Sequence, residues 1–402
     1  MKSLLFSLFA GLAVSACAPE AVLTPDSDAH QTVVMWHAYR GDEALALEAV
    51  IEAYNRSTSA HQVRLVSLPY DAMTNKLRVA IPRGNGPDLF IYAHDKVGGW
   101  AKKGLIEPVG FWARPEILDR FLPETLPGLV YDGGLYGLPL AYKTLTLFYD
   151  RSLLDTPPET TDDLIRMAQS IRGRGPDFWG LAYPAQDFYY HSLWLHGFGG
   201  QVLPRKGLPQ LRSEQMKRSI RFAHSFYTQD LIPKGIDAAQ IATLFKNHKV
   251  GFVIDGPWFR EHLINHPSWA VTALPKVSDT GQAARPFLGV EAVMISGHSR
   301  VKSAAFDVAQ FLTADDSAMT RWSTARQLVA NRTVYEQPEV ARDPFTQAFL
   351  KQLSTTETMP NRPAMDQLWG PLLDALAKSV VRGMNVDDAL EFAERAVGQV
   401  NE

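Results

Sequence analysis

The stretch GNGPDLFIYAHDKVGGWAKKGL, residues 84–105, places a turn, a short strand and an acid–base pair close together. The glycines and the proline at its start end whatever structure comes before. The apolar run Leu89–Tyr92 has the length of a buried strand. Because His94, Asp95 and Lys96 follow directly, we expect polar side chains at the edge of a sheet.

Strands and helices alternate ahead of this stretch. Strand, helix, strand and helix patterns cover, in that order, residues 32–36, 43–55, 62–68 and 71–81. This alternation predicts a parallel sheet covered by helices, and therefore an α/β fold. Ligands of such sheets bind beyond the carboxyl ends of the strands, where Arg40, Asp95 and Lys96 are expected to lie.

A second α/β block begins near residue 150. Its first helix, within 157–173, has prolines before it, Thr160 or Thr161 as its cap, two aspartates in its first turn and a glycine at its end. A strand and an aromatic-rich helix follow. From residue 291 the strand and helix patterns return to those of the first block, so the sequence predicts that one block is inserted into the other.

The composition limits the class of protein. A chain of 402 residues suggests two domains, and 46% apolar with 21% charged residues is an ordinary globular composition. The net charge is −3 and no long basic run stands out. A nucleic-acid partner is therefore not expected.

The first twenty residues, MKSLLFSLFAGLAVSACAPE, have the pattern of an export signal. A lysine precedes an apolar run that is too short to span a bilayer, which predicts a signal peptide over residues 1–16. VSAC resembles a bacterial lipobox, and Cys17 is the only cysteine in the chain. We expect a lipid on Cys17, a polar tether over 17–31 and an extracytoplasmic location; the alternative is a secreted protein cleaved near Ala18.

Several enzyme and metal motifs are incomplete. The phosphate-loop-like stretch 137–144 has Tyr142 where a glycine is needed, and HLINH has Leu263 where a zinc protease needs glutamate. His262 and His266 are therefore interpreted as part of a polar helix face. The acidic pairs lie at predicted helix starts: Asp162–Asp163, Asp315–Asp316 and Asp387–Asp388. We expect no cofactor, no metal and no catalytic residues.

Aromatic residues recur beside polar ones at predicted turns. They lie at residues 36–40, Tyr92, residues 187–190, Trp258 and Trp369. Aromatic faces pack against the C–H faces of sugar rings, and charged groups bind the hydroxyls. The mixture favours a carbohydrate ligand; the alternative is that the tryptophans belong to the core.

The motifs resemble those of the maltose- and maltodextrin-binding proteins, the family 1 bacterial extracellular solute-binding components of ABC importers. The likeness is carried by residues 84–105 and, in family order, by YGLPLAYKTLTLFYDRSLL, AAQIATLFKNHKVGFVIDGPW, FLGVEAVMISGHS and MPNRPAMDQLW. It implies a type II, hinge-closing periplasmic-binding-protein fold with the ligand in a cleft between two lobes. The implied lobes are 32–141 plus 293–338 and 146–287 plus 345–402, with crossings near 142–145, 288–292 and 338–345.

The resemblance also implies a set of ligand-binding residues. These are Arg40, Tyr92, Asp95, Lys96, Lys143, Asp187, Tyr189, Tyr190, Trp258, Met359 and Trp369. Arg40, Thr74 and Lys143 stand where the best-known member has acids, and Leu373 stands where it has an arginine. Maltose itself is therefore in question, and an acidic or phosphorylated sugar is the alternative ligand.

We expect a monomeric binding protein, not an enzyme, that delivers an oligosaccharide to ABC permease subunits. Two other functions remain open at this stage. A glycosidase would need facing carboxylates, for which Asp95, Asp187 and Glu291 are the candidates. A ferric-ion receptor is suggested by the adjacent Tyr189 and Tyr190.

Overall fold

The structure is a computed structural model that describes residues 31–264 and 266–400, with only the backbone at 399 and 400. The predicted signal peptide, Cys17 and residues 18–30 of the tether lie outside the described residues. Within the described part of the chain, no helix has the length and apolar character needed to cross a membrane.

The strands form two main sheets and one two-stranded pair. They are β1 Gln31–His37, β2 His61–Ser67, β3 Leu89–Ala93, β4 Val130–Tyr131, β5 Gly134–Leu135, β6 Leu138–Lys143, β7 Thr146–Asp150, β8 Trp179–Ala182, β9 Val250–Asp255, β10 Trp269–Thr272, β11 Phe287–Ile295 and β12 Glu357–Thr358.

The helices lie between these strands and at the end of the chain. The α-helices are α1 Gly41–Ser57, α2 Tyr70–Ala80, α3 Val97–Lys102, α4 Pro115–Leu118, α5 Thr161–Arg172, α6 Phe188–Gly197, α7 Glu214–Thr228, α8 Ala238–Lys246, α9 Lys302–Leu312, α10 Asp315–Ala325, α11 Pro338–Ala341, α12 Pro344–Leu353, α13 Trp369–Leu376 and α14 Val386–Val400. Short 3-10 helices include His94–Lys96, Pro257–Leu263 and Pro363–Gln367.

The six-stranded sheet has the order β12-β11-β3-β1-β2, with β6 also paired to β11. The first lobe is built on all of it except β12, which pairs only with the start of β11 at Phe287 and Leu288. β1 is parallel to both β2 and β3, and β11 is antiparallel to β3 and β6. The parallel arrangement predicted for the first three strands is therefore confirmed. α1 covers this sheet with side chains three or four residues apart, among them Leu47, Val50 and Tyr54.

The second lobe is built on the four-stranded sheet β10-β7-β9-β8. Its core joins the apolar faces of α5, α6, α7, α13 and α14 to these strands. α5 begins with a capping box: the Thr160 side chain accepts from the Asp163 N–H, and the Asp163 carboxylate accepts from the Thr160 N–H. Asp315 and Asp387, like Asp162, lie in the first turns of helices as predicted.

The chain passes from one sheet to the other directly after β6. Thr144 and Leu145 separate β6 from β7, and both are fully buried. The Thr144 hydroxyl donates to the Phe287 carbonyl at 2.9 Å, at the start of β11. The link between β6 and β7 is thus bonded to the start of β11.

The interpretation of His262 and His266 as one polar helix face is wrong. The 3-10 helix ends at Leu263, so His266 lies beyond it. Its side chain is turned inward and stacks on Phe245, with ring centroids 5.2 Å apart.

Candidate ligand-binding site

β1, β2 and β3 end at the same edge of the first sheet. A short turn after β3 carries His94, Asp95 and Lys96. His94 is fully buried: its Nδ1 accepts from the Val290 N–H at 2.9 Å, and its Nε2 donates to the Met359 carbonyl at 2.8 Å. Burial lowers the pKa of His94, consistent with this neutral form. His94 therefore anchors the turn, and Asp95 and Lys96 follow it at the edge.

Lys96 lies between two carboxylates. Its Nζ is 3.0 Å from Asp95 Oδ2 and forms a short contact with Asp366 Oδ1. Burial disfavours the Lys96 charge, but the two carboxylates outweigh burial and raise its pKa above the ordinary value. Asp366 lies just before α13, which packs in the second-lobe core, so the contact with Asp366 joins two separate parts of the molecule.

Lys143, the last residue of β6, belongs to a second charged group. Its Nζ is 2.8 Å from Glu291 Oε1, and the Tyr39 hydroxyl donates to Glu291 Oε2 at 2.9 Å. Burial disfavours the Lys143 charge, but Glu291 and then Glu43 outweigh it and raise its pKa. Glu291 of β11 and Glu43 of α1 therefore balance the charge of Lys143, which stands where the best-known family member has a glutamate.

Most of the cationic side chains predicted for the site are paired with carboxylates. Lys96 and Lys143 both have carboxylate partners, and Arg40 is exposed with no ion-pair partner among residues 31–264 and 266–400. An anionic sugar would need unpaired cationic side chains to bind it. Of the three candidates, Arg40, Lys96 and Lys143, the two lysines are already paired with carboxylates. The charge balance therefore favours a neutral ligand.

Tyr92 is 6% exposed, so its ring does not form the surface of the cleft. The Thr74 hydroxyl donates to its hydroxyl at 2.7 Å. Tyr70 stacks on it, with centroids 5.1 Å apart and planes 10° apart, and is 48% exposed. The accessible aromatic face belongs to Tyr70, which the sequence analysis missed although Tyr70 follows the end of β2.

The second lobe contributes a chain of neighbouring rings. Tyr189 lies 6.3 Å from Trp258 and 6.5 Å from Phe287, and Phe287 lies 6.4 Å from Trp369. Trp258 is 39% exposed. Phe287 is only 1% exposed, so it is a buried contact between the other rings. Tyr189, Trp258 and Trp369, all three predicted, come from segments far apart in sequence and form one aromatic surface.

Two acids lie beside this surface. Asp187 caps α6 by accepting from the Tyr189 N–H at 2.8 Å, and burial raises its pKa. Asp255 accepts from the Tyr190 hydroxyl at 2.8 Å, and burial raises the pKa of Asp255 to about 6. Tyr190 is only 8% exposed, so in this structure it supports Asp255 more than it offers a surface.

A cavity of about 1010 Å³ borders the aromatic surface. Phe287 and Met359 contribute to its wall, together with residues 127–128, 130–132 and 201–203. Met359 is the predicted site residue that lines it, and its side chain is 7% exposed. The other predicted residues lie outside this cavity.

The structure thus assembles two groups from the predicted residues. Asp95, Lys96 and Lys143 lie on the first lobe, and Asp187, Tyr189, Trp258 and Trp369 lie on the second. The sequence analysis missed Glu43, Tyr70, Asp255, Phe287 and Asp366 as members of these groups, and it included Tyr39 only within the aromatic stretch 36–40. It named Glu291 only as a possible catalytic acid, whereas Glu291 forms an ion pair with Lys143.

Comparisons with known proteins agree with the family resemblance found in the sequence. The sequence profile of the bacterial extracellular solute-binding proteins matches residues 49–348. The maltotriose-binding protein of Pyrococcus abyssi is 26% identical over 352 residues, which cover 86% of this chain and 76% of that protein. The galactooligosaccharide-binding protein of Bacillus subtilis is 25% identical over 405 residues, which cover 97% of this chain and 94% of the relative.

The fold is similar to that of a cyclo/maltodextrin-binding protein solved in complex with maltotetraose. The TM-score is 0.84 with 26% sequence identity, and the match covers 92% of this chain and 97% of that one. The two-lobe α/β fold predicted from the sequence is therefore confirmed.

Proposed function

The chain belongs to the bacterial extracellular solute-binding proteins, and we propose that it captures a neutral oligosaccharide of the maltodextrin class for an ABC importer. The observation that carries the proposal is the pairing of a ring surface, formed by Tyr189, Trp258 and Trp369, with the charge-balanced polar groups of the first lobe. Its relatives include proteins named for maltotriose and for galactooligosaccharide.

The two surfaces have complementary tasks in this proposal. Indole and phenol faces pack against the apolar faces of sugar rings, with Trp258 the most accessible of the second-lobe tryptophans. Asp95, Lys96 and Asp187 are placed to accept from and donate to hydroxyl groups. Since Lys96 is held between carboxylates, it is a fixed donor that suits a neutral hydroxyl more than a free anion.

Binding is proposed to act by hinge closure. We take the first lobe as 32–141 plus 293–338 and the second as 146–287 plus 345–402, with crossings near 142–145, 288–292 and 338–345. A ligand that contacts both lobes favours the closed form, which the permease then recognises. Reversing a 99:1 preference for the open form needs about 5.5 kcal/mol of differential binding, a sum that a few hydrogen bonds and stacked rings can reach.

The other two functions are less well supported by the same contacts. For a ferric-ion receptor, Tyr189 and Tyr190 would have to ionise, but burial first, and then the nearby acids Asp187 and Asp255, raise both pKa values. For a glycosidase, Glu291 would have to be free to act, but it is paired with Lys143 and bonded to Tyr39. Binding without catalysis remains our proposal.

The cellular setting is proposed from the family and the sequence together. Membership of an extracellular family places the chain outside the cytoplasm. We propose that Cys17 carries the lipid anchor, that residues 17–31 act as a tether, and that the monomer meets its permease at the membrane surface. Two or three acyl chains would hold such an anchor stably, because each buried methylene adds about 0.8 kcal/mol.

Calorimetric titration of the purified chain tests the ligand class. We expect saturable binding of maltotriose and maltotetraose, with little dependence on salt because the ligands are uncharged. A galacto-oligosaccharide and a phosphorylated sugar serve as competitors. Tighter binding of the phosphorylated sugar, or shortening of maltotetraose by the protein, would contradict the proposal.

A further inference from the structure

A second cluster of titratable side chains lies away from the cleft, at the far end of β7. Thr146, the first residue of β7, pairs with Asp255 beside the aromatic surface, and Asp150 is the last residue. The five-residue strand separates the two ends by about 13 Å. Around Asp150 lie His248, from the turn between α8 and β9, and His266, from the loop before β10.

The three side chains are close enough to share one ion. Asp150 Oδ2 lies 2.6 Å from His248 Nδ1 and 3.9 Å from His266 Nε2. All three candidate ligand atoms lie within 4.8 Å of one another. Bonds of 2.0–2.2 Å in tetrahedral geometry place two zinc ligands about 3.4 Å apart, between the two distances found here.

The electrostatics of the cluster favour a cation. Asp150 is fully buried: its Oδ1 accepts from the Ser152 N–H and hydroxyl, and its Oδ2 faces the two histidines, its ion-pair partners within the described residues. A buried carboxylate is costly unless it is paired.

The backbone also shows that His248 occupies an unusual position. Its φ is 56°, in the left-handed region that few residues other than glycine adopt. The side chain held there lies against Asp150 and has its ring 4.6 Å from that of His266. It is 43% exposed, so an ion can reach the cluster from solvent and keep water as a further ligand.

We propose that Asp150, His248 and His266 form a binding site for a divalent transition-metal ion, and that Zn²⁺ suits it best. Two imidazole nitrogens and one carboxylate oxygen are a zinc donor set, whereas Mg²⁺ and Ca²⁺ prefer oxygen ligands alone. His266 Nε2 now donates to the Phe245 carbonyl at 3.1 Å, so metal binding at Nε2 breaks that bond and moves the ring proton to Nδ1. His248 Nδ1, which now faces Asp150 Oδ2 at 2.6 Å, must likewise be unprotonated, with the proton on its Nε2.

The proposed ion would connect three segments of the second lobe: the end of β7, the turn before β9 and the loop before β10. A ligand that binds only the folded state stabilises it by mass action. Zn²⁺ is therefore expected to raise the unfolding temperature of the metal-stripped protein. This effect is independent of the sugar proposed above, because the cleft lies at the other end of β7.

Calorimetric titration of the metal-stripped chain with ZnCl₂ tests the site, with thermal unfolding as a second readout. We expect one equivalent of Zn²⁺ to bind and the unfolding temperature to rise. His248→Gly removes one metal ligand at a position whose backbone conformation suits glycine. It should weaken Zn²⁺ binding at least about ten-fold, because losing a group that only contacts a metal ligand already costs about that much affinity. His248→Gln repeats the test if the glycine variant folds poorly.

The matched control is His262→Gln, since His262 is near in sequence but outside the cluster. It should bind Zn²⁺ as the unsubstituted protein does. The proposal is overturned if the unsubstituted protein binds no Zn²⁺, if both His248 variants bind it unchanged, or if His262→Gln loses binding to the same extent.

Discussion

Trp258 provides a test of sugar stacking at the scale of a single residue. It is 39% exposed and lies 6.3 Å from Tyr189, so its removal changes the ring surface with little loss of core packing. Trp258→Ala should weaken maltotriose binding by at least about 1 kcal/mol, or roughly five-fold. Titration calorimetry measures the affinity, and thermal unfolding checks the fold.

Phe111→Ala is the matched control for this prediction. Phe111 is 89% exposed and lies on the first lobe against Trp112, outside both groups of the site. Its removal should leave the affinity unchanged. If Trp258→Ala and the unsubstituted protein bind maltotriose with equal affinity, Trp258 does not stack on the sugar.

The ionisation of a second single residue, Asp255, should make the stability of the protein depend on pH. Burial raises its pKa to about 6, so the folded state holds a proton that the unfolded state loses near pH 4. Stability should therefore fall as pH rises from about 4 to about 6, by up to about 3 kcal/mol, and then stay level.

Asp255→Asn isolates this contribution from those of other groups. The Tyr190 hydroxyl and the Gly256 N–H both donate to Oδ1, which an asparagine retains. The free energy of unfolding of Asp255→Asn, minus that of the unsubstituted protein, should grow between pH 4 and pH 6, the interval set by the two pKa values. A difference that is constant over this interval would show that Asp255 ionises normally.

At the scale of elements, the capping box of α5 makes the sharpest prediction. The Thr160 hydroxyl accepts from the Asp163 N–H and also donates to the Asp163 carboxylate. Thr160→Ala should lower the free energy of unfolding by about 1 kcal/mol. Urea unfolding measures the loss, and Thr160→Ser, which keeps the hydroxyl, should lose far less. Equal losses in the two variants would mean that the methyl group matters more than the cap.

The same scale shows what the sequence could predict. α5 was predicted because its cap, its first-turn acids and the glycine at its end all lie within one segment. Asp95 and Lys96 were placed correctly at the edge of the sheet because they directly follow β3. Signals of this kind are local, and each can be read from a few neighbouring residues.

Contacts between distant segments left no such signal. Asp366 meets Lys96 across 270 positions, and nothing near Asp366 marks it as a partner. Tyr92 was named on the family resemblance, and the sequence does not show that Tyr70 stacks on it and is the more exposed of the two rings. His266 was assigned to a helix that ends before it, so its contacts with Asp150 and His248 could not be foreseen.

At the scale of the whole molecule, the proposed membrane attachment depends on Cys17, which lies outside the described residues. Cys17→Ala removes the sole thiol that could carry the lipid. The variant should appear in the soluble extracytoplasmic fraction, or remain unprocessed, while the unsubstituted protein stays with the membrane. Immunoblots of cell fractions check this, and Ser15→Ala, a small-residue change before the cysteine, is the control. Membrane retention of a processed Cys17→Ala protein would contradict the anchor.

Lobe closure is the property that ties the whole molecule to its function. Lys96 belongs to the turn after β3 in the first lobe, and its partner Asp366 precedes α13 of the second-lobe core. Because the two side chains are 21% and 47% exposed, solvent screens the pair, and its loss should cost no more than about 1 kcal/mol. Asp366→Asn should therefore weaken maltotriose binding by up to about five-fold, since the closed form loses this attraction.

X-ray scattering measures closure directly. The unsubstituted protein should contract when maltotriose is added, and Asp366→Asn should need more sugar for the same contraction. Asp374→Asn, an exposed acid on α13 with no ion-pair partner among the described residues, is the matched control. If Asp366→Asn contracts at the same sugar concentration as Asp374→Asn, the Lys96 contact does not contribute to closure, and the differential binding must come from the sugar contacts alone.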